Sequence, residues 1–187
     1  MHKLIIAKPN DLPAIMKLFR RVNANLISQG NLMWTHDYPL ESDFKADIDN
    51  ECLYLLKEGM RVLAMGAVSH DVTADFFADS RSAKKTTEVL EKVGWAGEPI
   101  AMLHRFMVDP AFEGKGVAAE LLDFLLARYK GSTWIFAAYP SNLRAIRFYE
   151  KHGFTNYGIY SEFEWGPDSV QNLIGKKYQR DGLCAGY

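Results

Sequence analysis

An amide and a phenol stand seven residues apart in NLRAIRFYEKHGF, the segment running from Asn142 to Phe154. Two turns of α-helix bring the seventh residue back almost into line, so Asn142 and Tyr149 would point the same way, with Ala145 and Ile146 between them. Such an edge suits a long, thin ligand.

A second constellation lies upstream in DPAFEGKGVAAELL, from Asp109 to Leu122, where a Gly-rich turn runs directly into a helical apolar pattern. A turn of this kind exposes successive backbone amides beside the positive end of a helix dipole, where phosphates above all bind. Gly114 and Gly116 alone would be a weak signal, because Gly pairs close ordinary turns; their place between a strand and a helix gives them force. Lys115 could neutralise phosphate charge or simply be solvated. Arg144, Arg147 and Lys151 form a basic helical stripe, for which a solvated face is the plainer account and contact with a phosphate the sharper one.

Together the two segments resemble the GNAT N-acetyltransferase superfamily, which moves acetyl from acetyl-CoA to amines. The resemblance extends over nearly the whole chain and implies that the turn Glu113, Gly114, Lys115, Gly116, Val117, Ala118 holds the CoA pyrophosphate. It further implies that Asn142 and Ala145 line the pantetheine arm and that Tyr149 sits near the sulfur as general acid. The backbone N–H groups of Phe106, Met107 and Val108, freed by a bulge, would meet the acyl carbonyl. One position departs from the family pattern: Glu113 stands where Gln or Arg usually opens the turn, a carboxylate beside the expected pyrophosphate. The fold implied is mixed α/β (α+β), with a central, mostly antiparallel sheet of about seven strands flanked by helices and splayed into a CoA cleft. Acetyl-CoA is then the co-substrate, with no metal, and a primary amine of a small molecule or peptide attacks directly in a ternary complex. A non-catalytic CoA-binding sensor and a protein N-acetyltransferase stay open as alternatives.

The base is less determined. His104 lies on the strand leading to the turn and, if that strand is regular, faces the same side as Phe106 and Val108. A histidine near pKa ~6.5 could take a proton directly or through water, although a His within an apolar strand is more often a hydrogen-bonded core residue. His36, His70, Glu162 and Glu164 are further candidates. Trp34, Tyr38 and Pro39 could line an acceptor pocket or serve only loop and core packing.

These groups need elements to position them. Lys3–Ala7 reads as a strand, and Asn10 or Asp11 caps a helix whose apolar stripe Ile15, Phe19, Val22 and Leu26 runs to a stop at Gly30. A short helix capped by Ser42 follows, with Phe44 and Ile48 inward, then a hairpin of Cys52–Lys57 and Arg61–Ser69 about Gly59. Residues 70–98 are polar, with a short helix near Glu88–Val93, and a connection so long inside a compact domain reads as a substrate flap. Ile100–Val108 is the strand before the turn, and the helix after it runs from Val117 to about Lys130. Thr133–Tyr139 is an apolar strand with helical neighbours in sequence, favouring a buried, parallel place. Ser141 or Asn142 opens the next helix and Gly153 closes it. Tyr157–Trp165 and Leu173–Tyr178 make a closing antiparallel pair.

Composition narrows the function classes. The 187 residues suit one domain, 1–187, and nearly half are hydrophobic. Lys and Arg number 22 against 23 Asp and Glu, too balanced for a field that would gather nucleic acid. The N-terminal MHKLIIAKPND meets Pro and Asp too soon for a secretory core, and no apolar run approaches membrane-spanning length, so a soluble cytoplasmic protein is expected. Cys52 and Cys184, without metal or redox spacing, read as free thiols. Homodimer formation is left open.

Overall fold

The computed structural model describes residues 2–31, 34, 38–70, 90–91, 94–97, 99–140, 142–161 and 170–176. The chain divides into two compact units, Met1–Val68 with Leu103–Arg128, and Ser69–Met102 with Tyr129–Tyr187.

In the first unit, β1 (Lys3–Ile6) pairs antiparallel with β2 (Leu53–Glu58), and β2 with β3 (Arg61–Ser69). The hairpin turns at Gly59, whose φ of 57° is the left-handed value a residue without Cβ adopts freely. The expected strand at Cys52–Lys57 thus lies one residue later. Helix α1 (Leu12–Ser28) buries Ile15, Phe19 and Val22 of the expected stripe together with Met16 and Leu18, while Leu26, its fourth member, is half-buried against the core. Asp11 is its cap residue, but the carboxylate turns back to accept from the Lys8 N–H at 3.0 Å and to meet Lys57 Nζ at 2.9 Å. Helix α2 (Glu41–Asp49) starts after Leu40, not at the expected Ser42, because Asp43 accepts from the Leu40 N–H. Phe44 and Ile48 from α2 meet α1, β2 and β3 in one apolar core, where each fully buried side chain contributes roughly 1.5–3 kcal/mol. Helix α3 (Val117–Arg128) buries Val117, Leu121, Leu122 and Leu125, ending two residues before the expected Lys130.

In the second unit, the first residues of β4 (Ile100–Val108) run parallel to β5 (Thr133–Ala138), in the register Ile100↔Thr133 to Met102↔Ile135. Helix α4 (Leu143–Lys151) follows β5. Then β6 (Thr155–Ser161) and β7 (Val170–Lys176) pair antiparallel, and β7 inserts beside β5. The closing pair exists, shifted toward the N-terminus from Tyr157–Trp165 and Leu173–Tyr178. Strand order is β1-β2-β3-β4-β5-β7-β6, seven strands, with Ile100–Met102 of β4 in the second unit and Leu103–Val108 in the first.

Much of the polar segment, residues 71–89, 92–93 and 98, lies outside the described residues, and with it the expected flap. Its described end is not polar surface: Leu90 and Trp95 are buried, and a Cβ on Gly175 of β7 would come within 2.4 Å of the Trp95 ring. Among the described residues no helix is long and apolar enough to cross a membrane.

Candidate active site

The Gly-rich turn is built by Asp109. Its carboxylate Oδ1 accepts from the Ala111 N–H at 3.2 Å, opening a 3-10 turn over Pro110–Phe112. The other oxygen, Oδ2, receives Arg21 Nη2 at 2.8 Å from α1 and Arg61 Nη2 at 2.9 Å from β3. Burial opposes the charge, but the hydrogen bonds from Arg61 and Ala111 and the Arg21 charge outweigh it and hold the Asp109 carboxyl below its usual pKa. Asp109 is 1% exposed, whereas Arg21 and Arg61 keep 37% and 51% of their side chains in solvent. Two cations also lie over the Phe112 ring, Arg61 at 4.6 Å and Lys115 at 5.2 Å from its centroid.

Two amides of the turn are spent internally. Glu113 N–H donates to Pro110 O at 3.3 Å and Lys115 N–H to Phe112 O at 3.2 Å. Gly114 and Gly116 have φ of 72° and 81°, and no heavy atom stands within 4 Å of where their Cβ would be. The open, left-handed pair carries the chain into α3, whose first N–H groups have no carbonyl ahead of them within the helix. Glu120 N–H is the first to close, on Gly116 O at 3.0 Å. The amides from Gly116 to Ala119 are therefore the ones the helix leaves without a carbonyl of its own. Arg21, Arg61 and Lys115 thus set three cations at Asp109 and Phe112, at the start of the turn.

Upstream, β4 is not regular. Arg105 has φ 48°, a left-handed value in the middle of a strand, where a bulky residue costs of order 1–3 kcal/mol. Arg105 is thus a left-handed residue within the strand where a bulge was expected. Because it interrupts the two-residue alternation, His104 and Phe106 cannot be assigned to one face by counting. Phe106 packs against β3, where Gly66 makes room: a Cβ there would stand 2.9 Å from the Phe106 ring. Met107 enters the apolar core.

The Arg105 side chain turns inward, 8% exposed, and its Nη1 donates to both Asp47 oxygens at 2.7 and 2.6 Å. Asp43 stands 3.9 Å away, and the Tyr38 ring centroid 5.4 Å from the guanidinium carbon. Burial would lower the pKa of this group, but Tyr38, Asp47 and Asp43 more than offset it. Arg105 Nη1 also lies 2.8 Å from His104 Nδ1. A guanidinium only donates, so Nδ1 is the acceptor and the neutral ring carries its proton on Nε2. Burial, with the Arg105 charge second, pushes the His104 pKa down to about 3. That environment removes the proton affinity a general base needs near neutral pH. Cys52 completes the cluster: a sulfur, an imidazole nitrogen and a carboxylate oxygen of Cys52, His104 and Asp47 lie within 4.8 Å of one another, a set able to hold a metal ion.

In the second unit, Asn142 is the residue before α4, and its side-chain oxygen accepts from the Ala145 N–H at 3.2 Å. The amide predicted to grip a ligand is thus also the helix cap, fixed at its oxygen end. Ile146 and Tyr149 form the buried face of α4, while Arg144, Arg147 and Lys151 are exposed, the solvated stripe. Tyr149 is set in an aromatic nest, 4.0 Å from Phe136, 5.0 Å from Phe148 and 5.6 Å from Phe154 between ring centroids. Burial raises its pKa above the ordinary phenol value, so it stays protonated throughout the neutral range.

Other candidates fall elsewhere. Trp34 is core, 5.6 Å from Phe19 between ring centroids, and Pro39 is buried, whereas Tyr38 is half-buried beside Arg105. His70 Nδ1 lies 2.8 Å from Ile100 O and its ring packs on Tyr129. His36, Ser141, Glu162, Glu164 and Cys184 lie outside the described residues. Sequence reasoning missed Arg21, Arg61, Asp47 and Arg105 altogether, and took Asp109 only for a strand terminator. A local signal existed for Asp109 alone, an Asp-Pro pair opening a turn.

The acetyltransferase (GNAT) family pattern matches residues 24–154. Among solved structures, an acetyltransferase of the GNAT family from Streptococcus agalactiae 2603 gives a TM-score of 0.74 at 21% identity, covering 96% of this chain and 96% of that one. The ribosomal-protein-S18-alanine N-acetyltransferase from Escherichia coli gives 0.65 at 17% identity over 100% of both chains. The structure of yncA from Salmonella typhimurium with its cofactor acetyl-CoA gives 0.64 at 15% identity, covering 97% of this chain and 96% of that one. No curated protein sequence matches the chain. At these identities the structural likeness is one of fold, and it agrees with the mixed, mostly antiparallel seven-stranded sheet.

Proposed function

The chain belongs to the acetyltransferase (GNAT) family, and from that premise we propose that it transfers acetyl from acetyl-CoA to a primary amine of a small molecule or peptide. The observation that carries this reading is the turn. Gly114 and Gly116 are left-handed and open, and they lead into the N-terminus of a twelve-residue helix with Arg21, Arg61 and Lys115 nearby. Diphosphate is the ligand chemistry that matches amides, dipole and local positive charge together. The fit of yncA, whose structure contains acetyl-CoA, supports the same donor.

The donor supplies an activated acetyl thioester. The amides of Gly116 to Ala119 hold its diphosphate, and the Asn142 amino group donates to the pantetheine arm. Backbone N–H groups beyond the kink at Arg105 meet the acyl carbonyl and stabilise charge growing on its oxygen. Tyr149 gives its proton to the leaving sulfur. A free phenol near pKa ~10 facing a thiol near ~8.5 makes that transfer uphill by about 2 kcal/mol. Burial raises the phenol pKa, but a thiolate released into the same dry surroundings is raised as well, so the gap stays of that order. His104 is neutral and engaged, so we assign the amine's proton to water, and proximity in the ternary complex supplies most of the rate.

Tyr149→Phe tests the assignment, because it keeps the aromatic nest and removes the hydroxyl that would supply the proton. Thiol release from acetyl-CoA across a panel of polyamines, amino acids, aminoglycosides and peptides should fall roughly 100-fold or more, with CoA affinity by calorimetry within about twofold. Unchanged turnover removes Tyr149 from the mechanism, and a wild-type protein that binds no CoA removes the reading.

A further inference from the structure

Arg105 has no chemical task in the scheme above, yet it is the residue at which β4 changes hand. We propose that Arg105 is a positioning residue: its buried bridge to Asp47 holds the left-handed kink in β4 and so aims the amides of Phe106, Met107 and Val108 at the acyl carbonyl. The proposal rests on the acetyl-transfer reading and names a device specific to this chain.

The kink has no local reason. Arginine carries a Cβ and has none of the short polar side-chain bonds that let Asn or Asp adopt φ 48°. Something outside the strand must hold it, and the side chain is held from three directions. Both oxygens of Asp47, on α2, take Nη1 at 2.7 and 2.6 Å. His104 Nδ1 accepts at 2.8 Å, and the Tyr38 ring lies 5.4 Å from the guanidinium carbon. Asp47 is itself tied down, since its backbone carbonyl accepts from the Cys52 N–H at 3.0 Å and joins the end of α2 to the start of β2. The clamp therefore runs from the α2–β2 connection to the kink. It also accounts for the set of Asp47, Cys52 and His104: the guanidinium already spans the carboxylate and the imidazole, so the cation of this pocket is the protein's own.

A left-handed residue turns the amides after it out of the alternating pattern of the ladder. Losing the clamp should loosen those amides without touching the turn from Gly114 to Ala118. The signature is a fall in kcat with KM for acetyl-CoA held.

The test compares Arg105→Ala with Arg105→Gly. Both remove the bridge, but only glycine keeps the left-handed conformation freely. Arg105→Ala should lower kcat for thiol release about 10- to 30-fold with KM for acetyl-CoA within about twofold, and Arg105→Gly should recover to within about threefold of wild type. In the Arg105→Gly background, Asp47→Asn should cost less than about threefold, against about tenfold alone. Should Arg105→Ala fail to fold, the comparison of Asp47→Asn in the two backgrounds decides by itself. Equal impairment of the Ala and Gly variants, a KM that rises as kcat falls, or additive Asp47→Asn and Arg105→Gly effects overturns the clamp while leaving acetyl transfer standing. Wild-type protein that releases no thiol with any amine overturns the parent reading and the clamp with it.

Discussion

Two buried carboxylates act on the C-terminal half of β4, and they are neutralised in opposite ways. Asp47 takes one arginine with both oxygens, and the two side chains are 7% and 8% exposed. Asp109 takes two arginines on one oxygen, and although it is itself buried, the cations reach well into water. The dry bridge has nothing to replace a lost partner, so it fixes geometry. The wet one leaves two guanidinium groups partly solvated beside the Gly-rich turn, where the proposed diphosphate could use them. Where the backbone must be aimed, the ion pair is sealed; where a charged ligand arrives, it is open.

Removing the sealed carboxylate should have the largest effect. Asp47→Ala leaves the buried Arg105 guanidinium without its close carboxylate, facing the neutral His104 ring, the Tyr38 ring and Asp43 at 3.9 Å. Breaking a buried pair from one side costs about 3–5 kcal/mol, read as a lower urea midpoint with an unchanged m-value. A loss below about 1 kcal/mol would mean that water reaches Arg105 and that the two regions do not differ.

Acid separates the regions next. His104 sits against Arg105, Asp47 and Cys52, and burial, then the Arg105 charge, holds its pKa near 3. The unfolded chain, with an ordinary histidine, binds a proton that the folded chain refuses in the window from pH ~6.5 down to ~3. Stability from this group is complete above that window and declines as pH falls through it, by about 2 kcal/mol at pH ~5. Asp109 has a lower window: its lowered pKa keeps its contribution intact until pH falls below the ordinary carboxylate value of ~3.9. Between pH ~8 and ~5, wild type should lose about 2 kcal/mol more unfolding free energy than His104→Gln. Parallel losses in the two proteins would show that His104 is solvated in the folded state.

The contrast was almost invisible in the sequence, and the reason is distance along the chain. The turn was legible, because Gly114, Gly116 and the apolar run after them are neighbours and the physics of a helix N-terminus is local. So was α4, where Asn142 and Tyr149 share one short segment. The strands were legible in number and nearly in place, since alternation and flanking Gly and Asp signals need only a window of a few residues. Ion pairs are different. Arg21 and Arg61 are 88 and 48 residues from Asp109, and Asp47 is 58 from Arg105. No spacing rule reaches that far, so the sequence assigned Arg105 no part, and His104 beside it was open between a base and a hydrogen-bonded core residue. Ser42 failed as a cap for a smaller reason: Asp43, one residue on, reaches the Leu40 N–H and starts the helix earlier.

Salt gives the finest discrimination. Asp109→Asn keeps its one oxygen for the Ala111 N–H but sets an amide NH2 where Oδ2 received both arginines, so the turn should still form while the ion pairs are lost. Because Arg21 and Arg61 are well exposed, solvent takes up most of the difference, and the expected loss is about 1–2 kcal/mol at low ionic strength. Raising salt from about 0.05 M to about 1 M shortens the screening length to about 3 Å, which should roughly halve that loss. The cost of Asp47→Ala should not move over the same range, because ions do not enter its surroundings. CoA affinity should follow the first pattern and not the second: Asp109→Asn frees the two arginines toward the diphosphate, so binding by calorimetry should tighten slightly at low salt and return to the wild-type value at high salt. An identical salt response in the two variants would erase the distinction between sealed and open pairs, and with it the reason for placing a solvated pair beside the turn.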